Sequence, residues 1–400
     1  MINAITTNPF QGLNGWHSTG LRTKLKVGDL IGLLKENNIQ LKYNLVTLGI
    51  EFDDESLDDW LIENFYAELS CRGYEITKLA AIDALMFSAQ QNSYSPIEEW
   101  LCDLRENIFI SPINIETISS DYLGVDDELS NVMLKICLIG AVKRVFKRGC
   151  KHDTCLVLKG SQGIGKSSFW KALGSEDWFS DTWQDKPQDL FMQIQRCWFY
   201  ELAELDSMTS KKDAGTLKSL LSSSIDSFRS PYARGIHDNP RPSIMVASCN
   251  RPDPLNDPTG SRRFHVVDVG CKHIDFEKVK SDRQRIFKAA IEAYDNGEPN
   301  YLTKEQQEQS NQRNLAFEAE DPFFDRIYDW VNNIGSNSGF YHGFSTEEAL
   351  IQSSCREEKN IKVTDQKVAA DCLRRMGYEK DKHQSSKDGV KQPRKWRRCS

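Results

Sequence analysis

Residues 160–168, Gly-Ser-Gln-Gly-Ile-Gly-Lys-Ser-Ser, have the composition and spacing needed to bind the phosphates of a nucleotide. They match the pattern Gly-x-x-x-x-Gly-Lys-Ser, in which glycines allow backbone N–H groups to face a phosphate. Lys166 would neutralise the β- and γ-phosphates, and the hydroxyl of Ser167 would ligate Mg²⁺. The sequence therefore predicts bound ATP and Mg²⁺, with the binding residues Gly160, Ser161, Gln162, Gly163, Ile164, Gly165, Lys166, Ser167 and Ser168.

A second segment could supply the acidic groups that hydrolysis requires. Residues 197–205, Cys-Trp-Phe-Tyr-Glu-Leu-Ala-Glu-Leu, place Glu201 and Glu204 after a run of bulky apolar residues. One acid must hold Mg²⁺, and another group must position the attacking water. We assign Glu201 to the metal and Glu204 to the water, although the two roles could be exchanged. The alternative is that both are surface glutamates at the end of a strand.

An asparagine and two arginines are further candidates for the catalytic site. Asn250 ends the apolar segment 243–250. Because open α/β sheets present ligand contacts at the carboxyl ends of their strands, its amide could hold the attacking water, or it could simply terminate the strand. Arg262 and Arg263 lie in a loop rich in Pro and Gly. One of them could reach the γ-phosphate of a neighbouring subunit as an arginine finger, or could pair with a loop aspartate such as Asp257.

Alternating strands and helices must position these residues. Residues 154–159 are apolar or β-branched and predict a buried strand that enters the glycine-rich loop. A helix begins within that loop, and the alternation continues to about residue 300. The pattern predicts an α/β domain with a largely parallel sheet across residues 119–318.

The residues before this domain predict a loose arm at 1–20 and a mainly helical domain at 21–118. Apolar residues recur at three- and four-residue steps in segments 56–69 and 76–90. A short piece at 44–52 reads as a strand and precedes these two helices.

Residues 319–400 predict a C-terminal winged-helix-like domain. One helix starts with the capping-box spacing Ser345-x-x-Glu348, and a second spans 363–377. Two charged segments follow, joined through Asp388-Gly389, a pair that favours a hairpin turn. Helices followed by a basic hairpin are typical of a winged helix-turn-helix that binds DNA. The expected DNA contacts of this domain are Lys391, Arg394, Lys395 and Arg397.

Charge and hydropathy restrict the function classes further. The 400-residue chain has a net charge of −7, so it is not a generically basic nucleic-acid binder, yet residues 356–400 hold fourteen Lys and Arg against seven Asp and Glu. This asymmetry favours a nucleic-acid contact at one end, with a solvated charged tail as the alternative.

Eleven cysteines without Cys-x-x-Cys pairs fit reduced thiols. We expect a soluble, unexported protein, because membrane spans and signal-peptide features are lacking.

Five ordered motifs resemble the virulence-associated protein E (VapE) family of phages and mobile elements, which is similar to superfamily 3 helicases within the AAA+ ATPases. The resemblance is strongest from about residue 90 to 270. It is carried by NSYSPIEEWL, LIGAVKRVFKRGCKHDTCLVLKGSQGIGKSSFWKALG, WFYELAELDSM, DSFRSPYARG and NDPTGSRRF. It implies a P-loop NTPase of AAA+ type with a three-layer α/β core. It also implies a ring, expected to be a hexamer, with ATP between subunits and single-stranded DNA in a central channel.

The family pattern distributes the catalytic residues over two subunits. An arginine of the 262–263 pair would act on the ATP of its neighbour. The residues acting within one subunit would be Lys166, Ser167, Glu201, Glu204 and Asn250.

The family pattern also places a DNA-gripping hairpin in segment 223–244. Arg229, Arg234, His237 and Arg241 are interleaved there with Phe228 and Tyr232, which suits contacts with phosphates and bases. We expect DNA contacts from Arg229, Arg234 and His237. The alternative is that Arg229 and Tyr232 pack against the core or the nucleotide.

These features predict an ATP-dependent DNA helicase or replication initiator of a phage or mobile element, in the cytoplasm of a bacterial host cell. An ATP-switched DNA-binding assembly factor without unwinding activity is the alternative. A packaging motor is a third reading, which lacks the support of a nuclease metal cluster. The residues before the ATPase domain are too few for a primase and lack a convincing cluster of catalytic acids, so a primase, if one is needed, would be a separate chain. Duplex DNA would bind through the C-terminal domain.

Overall fold

The computed structural model shows the chain as two compact units, Met1–Glu318 and Ala319–Ser400. The residues that the structure describes are Phe10, 23–203, 211–250, 261–315, 317, 323–334, 340, 343–376, 378–381, 386–387, 390–391 and 394–398.

The N-terminal part of the first unit combines helices with a small sheet. Its elements are β1 (Thr23–Lys24), α1 (Val27–Glu36), β2 (Leu41–Asn44), β3 (Gly49–Phe52), β4 (Glu55–Ser56), α2 (Asp59–Cys71), β5 (Tyr74–Glu75), α3 (Lys78–Gln90), β6 (Ser93–Tyr94) and α4 (Pro96–Glu106). The helices predicted at 56–69 and 76–90 are present as α2 and α3. Each begins at an N-cap residue, Asp58 or Thr77, whose side chain accepts a backbone N–H of the first turn.

One expectation for this region is wrong, and another can be examined at a single residue. The predicted single strand at 44–52 is a hairpin of β2 and β3, within a four-stranded sheet of order β4-β3-β2-β6. The chain turns there because the side-chain oxygen of Asn44 accepts the backbone N–H groups of Val46 and Thr47. Phe10, the described residue of the predicted loose arm, is buried, and its ring centroid lies 4.0 Å from that of Phe65. Burial of an aromatic ring thus fixes this point of the arm.

The rest of the first unit is built on a parallel sheet. Its elements are α5 (Ile118–Leu123), α6 (Glu128–Phe146), β7 (Cys155–Gly160), α7 (Lys166–Gly174), β8 (Phe179–Ser180), α8 (Pro187–Gln195), β9 (Phe199–Leu202), α9 (Lys211–Ser222), β10 (Ile225–Phe228), β11 (His237–Pro240), β12 (Ile244–Cys249), β13 (Phe264–Gly270), α10 (Phe276–Asp295) and α11 (Lys304–Leu315). Five strands pair in the order β13-β7-β12-β9-β8, all in parallel. The α/β class with a parallel sheet is therefore confirmed, and the carboxyl ends of its strands share one edge.

Helices cover both faces of this sheet. Leu156 and Leu158 of β7 pack with apolar residues of α6, α7 and α10, whereas Cys155 and Val157 pack with those of α8 and α9. Successive side chains of a strand point to opposite faces, so both sets become buried. This explains why the strands read as continuous apolar runs in the sequence.

In its described residues, the second unit contains three α-helices and two short strand pairs. Its elements are α12 (Phe324–Asn332), α13 (Thr346–Gln352), α14 (Val363–Arg375), β14 (Tyr378–Lys380), β15 (Ser386–Lys387), β16 (Val390–Lys391) and β17 (Trp396–Arg398). β14 pairs with β17, and β15 pairs with β16, both antiparallel. The predicted capping box is present, because Ser345 and Glu348 exchange side-chain and backbone hydrogen bonds. No helix in the described parts of either unit is long and apolar enough to span a membrane.

Candidate functional site

The glycine-rich loop connects the carboxyl end of β7 to the first turn of α7. Gly163 and Gly165 have φ angles of +80° and +96°, which residues with a Cβ rarely adopt. A Cβ on Gly160 would lie 2.7 Å from the carbonyl oxygen of Gly270 and 2.8 Å from Cδ1 of Ile164. The backbone path therefore requires these glycines, and it leads into a helix N-terminus, where N–H groups favour an anion.

Lys166 begins α7 and directs its ammonium group into the loop. Its Nζ donates to the carbonyl oxygens of Gly160 at 2.9 Å and Ser161 at 2.8 Å, and to Oδ1 of Asn250 at 2.8 Å. The residue is 6% exposed. A charge removed from water needs such oxygen partners because its desolvation is costly. The structure thus brings Lys166 and Asn250 together at the ends of β7 and β12.

The carboxylate of Glu201 lies at the end of β9 and is 1% exposed. Its Oε1 accepts hydrogen bonds from Oγ of Ser167 at 2.9 Å and from Oγ of Ser248. Its Oε2 is buried and has no hydrogen-bond partner within the described parts of the chain. Burial raises the pKa of this carboxyl above its usual value. The structure therefore joins two predicted residues, Ser167 and Glu201, through one carboxylate oxygen and leaves the other oxygen without a hydrogen bond to the described residues.

These oxygens fit a Mg²⁺ site. Mg²⁺ prefers oxygen ligands and keeps several waters, so one or two protein ligands are sufficient. A buried carboxylate oxygen without a partner costs free energy, which a cation would offset. Glu201 and Ser167 would hold the ion.

A cavity of about 380 Å³ opens beside the loop. Its volume falls within the range of ligand-binding pockets. Outside the loop and the start of α7, it is lined by Ala203, Ser248, Asn250, His273 and Phe276. The sequence analysis did not identify Ser248, His273 or Phe276. Ser248 lies two positions before Asn250 and therefore shares its side of the strand. His273 and Phe276 follow the carboxyl end of β13, where open α/β sheets present ligand contacts. Both placements could have been recognised from the sequence.

Two predicted catalytic residues that the structure describes, Arg262 and Arg263, are not brought to this cavity. Glu204 lies outside the described residues, as does Asp257. Arg262 and Arg263 lie in a turn before β13 and do not line the cavity. Arg262 is exposed, and Nε of Arg263 is buried without a hydrogen-bond partner among the described residues. Their action on a neighbouring subunit stays a prediction.

The predicted hairpin is present, but two of its residues face the interior. β10 and β11 pair antiparallel from Ile225↔Pro240 to Phe228↔His237. Arg241 is 2% exposed, and its Nε and Nη2 donate to the two carboxylate oxygens of Asp226 at 2.8 Å and 2.5 Å. Phe228 is buried in the core of the N-terminal part. Arg241 and Phe228 are therefore not part of an exposed row of charges and rings on the hairpin.

The tip of the hairpin contacts the N-terminal part of the same unit. Arg234 pairs with Asp83 of α3 at 2.7 Å, and the hydroxyl of Tyr232 donates to the carboxylate of Asp59. The ring of Tyr232 packs on the N-terminal core, as the alternative reading expected. Nε of Arg229 donates to a carbonyl oxygen within the tip, that of Ala233, at 2.7 Å. DNA contacts by Arg229, Arg234 and the exposed His237 stay predictions.

The basic residues of the second unit flank a buried tryptophan. Trp396 has no exposed surface, and its Nε1 donates to Oγ1 of Thr346 at 2.8 Å. Its neighbours Lys395 and Arg397 are exposed, as is Arg394, since strand side chains alternate. Lys391, the fourth predicted DNA contact, lies on β16.

Comparisons with known proteins agree with the family expected from the motifs. The virulence-associated protein E-like domain model matches residues 105–319. No curated protein matches the chain.

The apo A form structure of the NrS-1 C-terminal region, residues 305–718, is similar with a TM-score of 0.50 and 10% identity, covering 94% of this chain and 100% of that chain. At this identity the likeness shows the fold alone. A second apo structure of that region has a TM-score of 0.45 and 12% identity, covering 85% and 86% of the two chains. Because the domain model covers more than half of the 400 residues, the chain belongs to the virulence-associated protein E-like domain family.

Proposed function

We propose that the chain is an ATP-hydrolysing P-loop enzyme of AAA+ type that acts on DNA during replication of a phage or mobile element. One observation carries the proposal. The hydroxyl of Ser167 and the half-satisfied carboxylate of Glu201 meet at the end of a glycine-rich loop. A phosphate-binding loop next to hard oxygen ligands is the arrangement that MgATP requires.

The residues around the cavity would have different roles in ATP hydrolysis. Lys166 would transfer its ammonium hydrogen bonds from the loop carbonyls to the β- and γ-phosphates. Release of Lys166 would free the amide of Asn250, which could then orient the attacking water together with Glu204. Mg²⁺ would supply charge neutralisation at the phosphate oxygens. His273 and Phe276 would contact the nucleotide from the segment after β13.

The proposal extends to an assembly and to DNA. Since neither Arg262 nor Arg263 lines the cavity of its own chain, an arginine finger from a neighbouring subunit would complete the site, as in a superfamily 3 ring. Single-stranded DNA would pass the β10–β11 hairpin. The second unit, as a winged helix, would place Lys391, Arg394, Lys395 and Arg397 against duplex phosphates.

A hydrolysis and unwinding assay tests this function. We expect the full chain to release phosphate from ATP, to do so faster with single-stranded DNA, and to separate a forked duplex. Lys166→Ala should slow ATP hydrolysis by about 100-fold or more, with or without DNA, and should abolish strand separation. Unwinding by Lys166→Ala would show that the loop is assigned wrongly.

One observation favours a second candidate, an ATP-switched DNA-binding assembly factor. The hairpin tip is tied to the N-terminal part of its own unit through Arg234 and Tyr232. A hairpin whose tip is bonded to its own unit suits a protein that changes its assembly state better than one whose hairpin must move to translocate DNA. Such a protein would bind duplex DNA and assemble in the presence of ATP, yet the forked duplex would stay paired.

A further inference from the structure

A second cavity, of about 620 Å³, lies between the N-terminal part and the hairpin of the first unit. Its lining includes Tyr43, Asp83, Phe87 and Arg148, together with the hairpin tip, residues 230–234. None of its lining residues belongs to the cavity beside the glycine-rich loop. It is therefore a separate site with the volume of a ligand pocket.

Arg148 gives this cavity a positive charge that no described carboxylate meets in a close ion pair, although the charge of Glu98 raises its pKa. It makes no hydrogen bond or ion pair with any described residue, whereas Arg234, which also lines the cavity, is paired with Asp83. Burial lowers the pKa of Arg148, yet an arginine stays protonated in proteins. A partly buried guanidinium with five donors and no protein acceptor suits a phosphate, which it can bind in a bidentate manner.

Aromatic side chains line the same cavity as this charge. Phe87 is 51% exposed although it is a large apolar side chain. Tyr43 and Tyr232 also line the cavity, but their rings pack in or on the N-terminal core, so Phe87 is the ring of the three that is open to a base. Flat rings beside a cation bind unpaired nucleotides, because every base can stack on a ring and every phosphate can meet the cation. The cavity thus offers a cation for the phosphate and an aromatic ring for the base.

We propose that this cavity binds one unpaired nucleotide of a DNA single strand, with its phosphate at Arg148 and its base against Phe87. The choice of DNA rests on the function proposed above. A nucleotide in this position would contact α3 and the hairpin tip together. The N-terminal part therefore forms one wall of the DNA site, a role that neither the loop nor the hairpin sequence indicates.

Binding of a fluorescein-labelled thymidine 20-mer to the full chain, followed by fluorescence anisotropy, tests the proposal. Arg148→Gln and Phe87→Ala should each raise Kd by about tenfold, the magnitude expected for one stacked base or one phosphate contact. Lys147→Gln removes an exposed charge next to Arg148, and Leu79→Ala removes an exposed apolar side chain from the same helix as Phe87. Neither control residue lines the cavity, so both should bind as the wild type does.

The possible results separate this proposal from the function proposed above. All four variants should retain wild-type thermal unfolding and basal ATP hydrolysis. If the wild type binds the oligonucleotide and Arg148→Gln and Phe87→Ala match their controls, the cavity is not the site, while the ATPase proposal stands. If the wild type hydrolyses ATP but does not bind the oligonucleotide, both DNA assignments are wrong. If thymidine monophosphate alone binds in an Arg148-dependent manner while oligonucleotide binding does not depend on Arg148, the ligand is a free nucleotide and the strand assignment is overturned.

Discussion

At the carboxyl edge of the sheet the charged groups are buried, whereas at the tip of the β10–β11 hairpin they are exposed. Lys166 and Glu201 are 6% and 1% exposed, but the side chains of Arg234 and Asp83 are 70% and 44% exposed. A buried charge depends on its protein partners, while an exposed charge keeps its water. Substitutions at the sheet edge should therefore remove activity or stability, and substitutions at the tip should change mainly the binding of ligands.

The hairpin offers the largest test of this contrast, because an Arg–Asp pair lies at each of its ends. Arg241→Met leaves Asp226 buried and unpaired, which should lower the free energy of unfolding by about 3–5 kcal/mol. Arg234→Met breaks an exposed pair and should lower it by less than about 1 kcal/mol. Urea unfolding of both variants checks this. Equal losses would show that burial does not separate the two pairs.

The second test concerns Lys166 at the sheet edge. Lys166→Ala removes a preorganised donor to the phosphates and should slow ATP hydrolysis by about 100-fold or more. Lys171, on the same helix, makes an exposed pair with Glu176. Lys171→Ala should hydrolyse ATP at the wild-type rate in a phosphate-release assay. A loss of the same size in both variants would point to damage to α7 rather than to a role for Lys166.

The third test uses buried and exposed histidines. Burial lowers the pKa of His152 to about 3, with the nearby Arg144 adding to the effect, and lowers that of His265 to about 4. The unfolded chain takes up these protons below about pH 6.5, but the folded chain does not. The free energy of unfolding should therefore fall as the pH falls from 6.5 to 4, by about 1.4 kcal/mol per pH unit for each histidine.

Urea unfolding at pH 7.5 and 5.0 measures this fall. His152→Gln should reduce it, because one buried site no longer binds a proton in the unfolded chain. His237→Gln, at an exposed hairpin residue, serves as the control and should leave the fall unchanged. A wild-type free energy of unfolding that is the same at both pH values would contradict the burial argument.

The smallest effect is expected for exposed cations of the second unit. The logarithm of the binding constant for duplex DNA falls linearly with the logarithm of the salt concentration. Replacing Arg394, Lys395 and Arg397 by Gln should make this slope shallower by about one for each phosphate contact that is lost. Buried Trp396 stays intact, so folding should not change. A triple variant at Lys35, Lys280 and Lys304, exposed in the first unit, controls for overall charge. The same slope for both triple variants would contradict a DNA contact by the second unit.

Local sequence patterns predicted the elements well. The strands that end near Gly160, Glu201 and Asn250 were predicted because apolar runs followed by polar residues mark the ends of buried strands. The glycine-rich loop at residues 160–165 was predicted because its glycines are required by the backbone conformation of the loop itself, which is a local property. The capping box at Ser345 and Glu348 is equally local, since both partners lie within one turn.

Partners distant in sequence could not be predicted in the same way. Arg241 was grouped with the other basic residues of segment 223–244 because an arginine in a sequence gives no sign of whether it faces solvent or a buried Asp226. The pairing of Ser248 with Glu201 depends on the order of strands in the sheet, which no local pattern encodes. Phe10 was assigned to a loose arm because its partner, Phe65, lies in a helix far along the chain.

Mn²⁺ binding tests the central claim, a MgATP site built from Ser167 and Glu201, most directly. Mn²⁺ accepts the same oxygen ligands as Mg²⁺, and its paramagnetic signal reports the bound fraction. With a non-hydrolysable ATP analogue present, we expect the wild type to bind one Mn²⁺ per chain and the double variant Ser167→Ala/Glu201→Gln to bind it about tenfold more weakly or worse. Equal Mn²⁺ affinity of the two proteins would contradict the account.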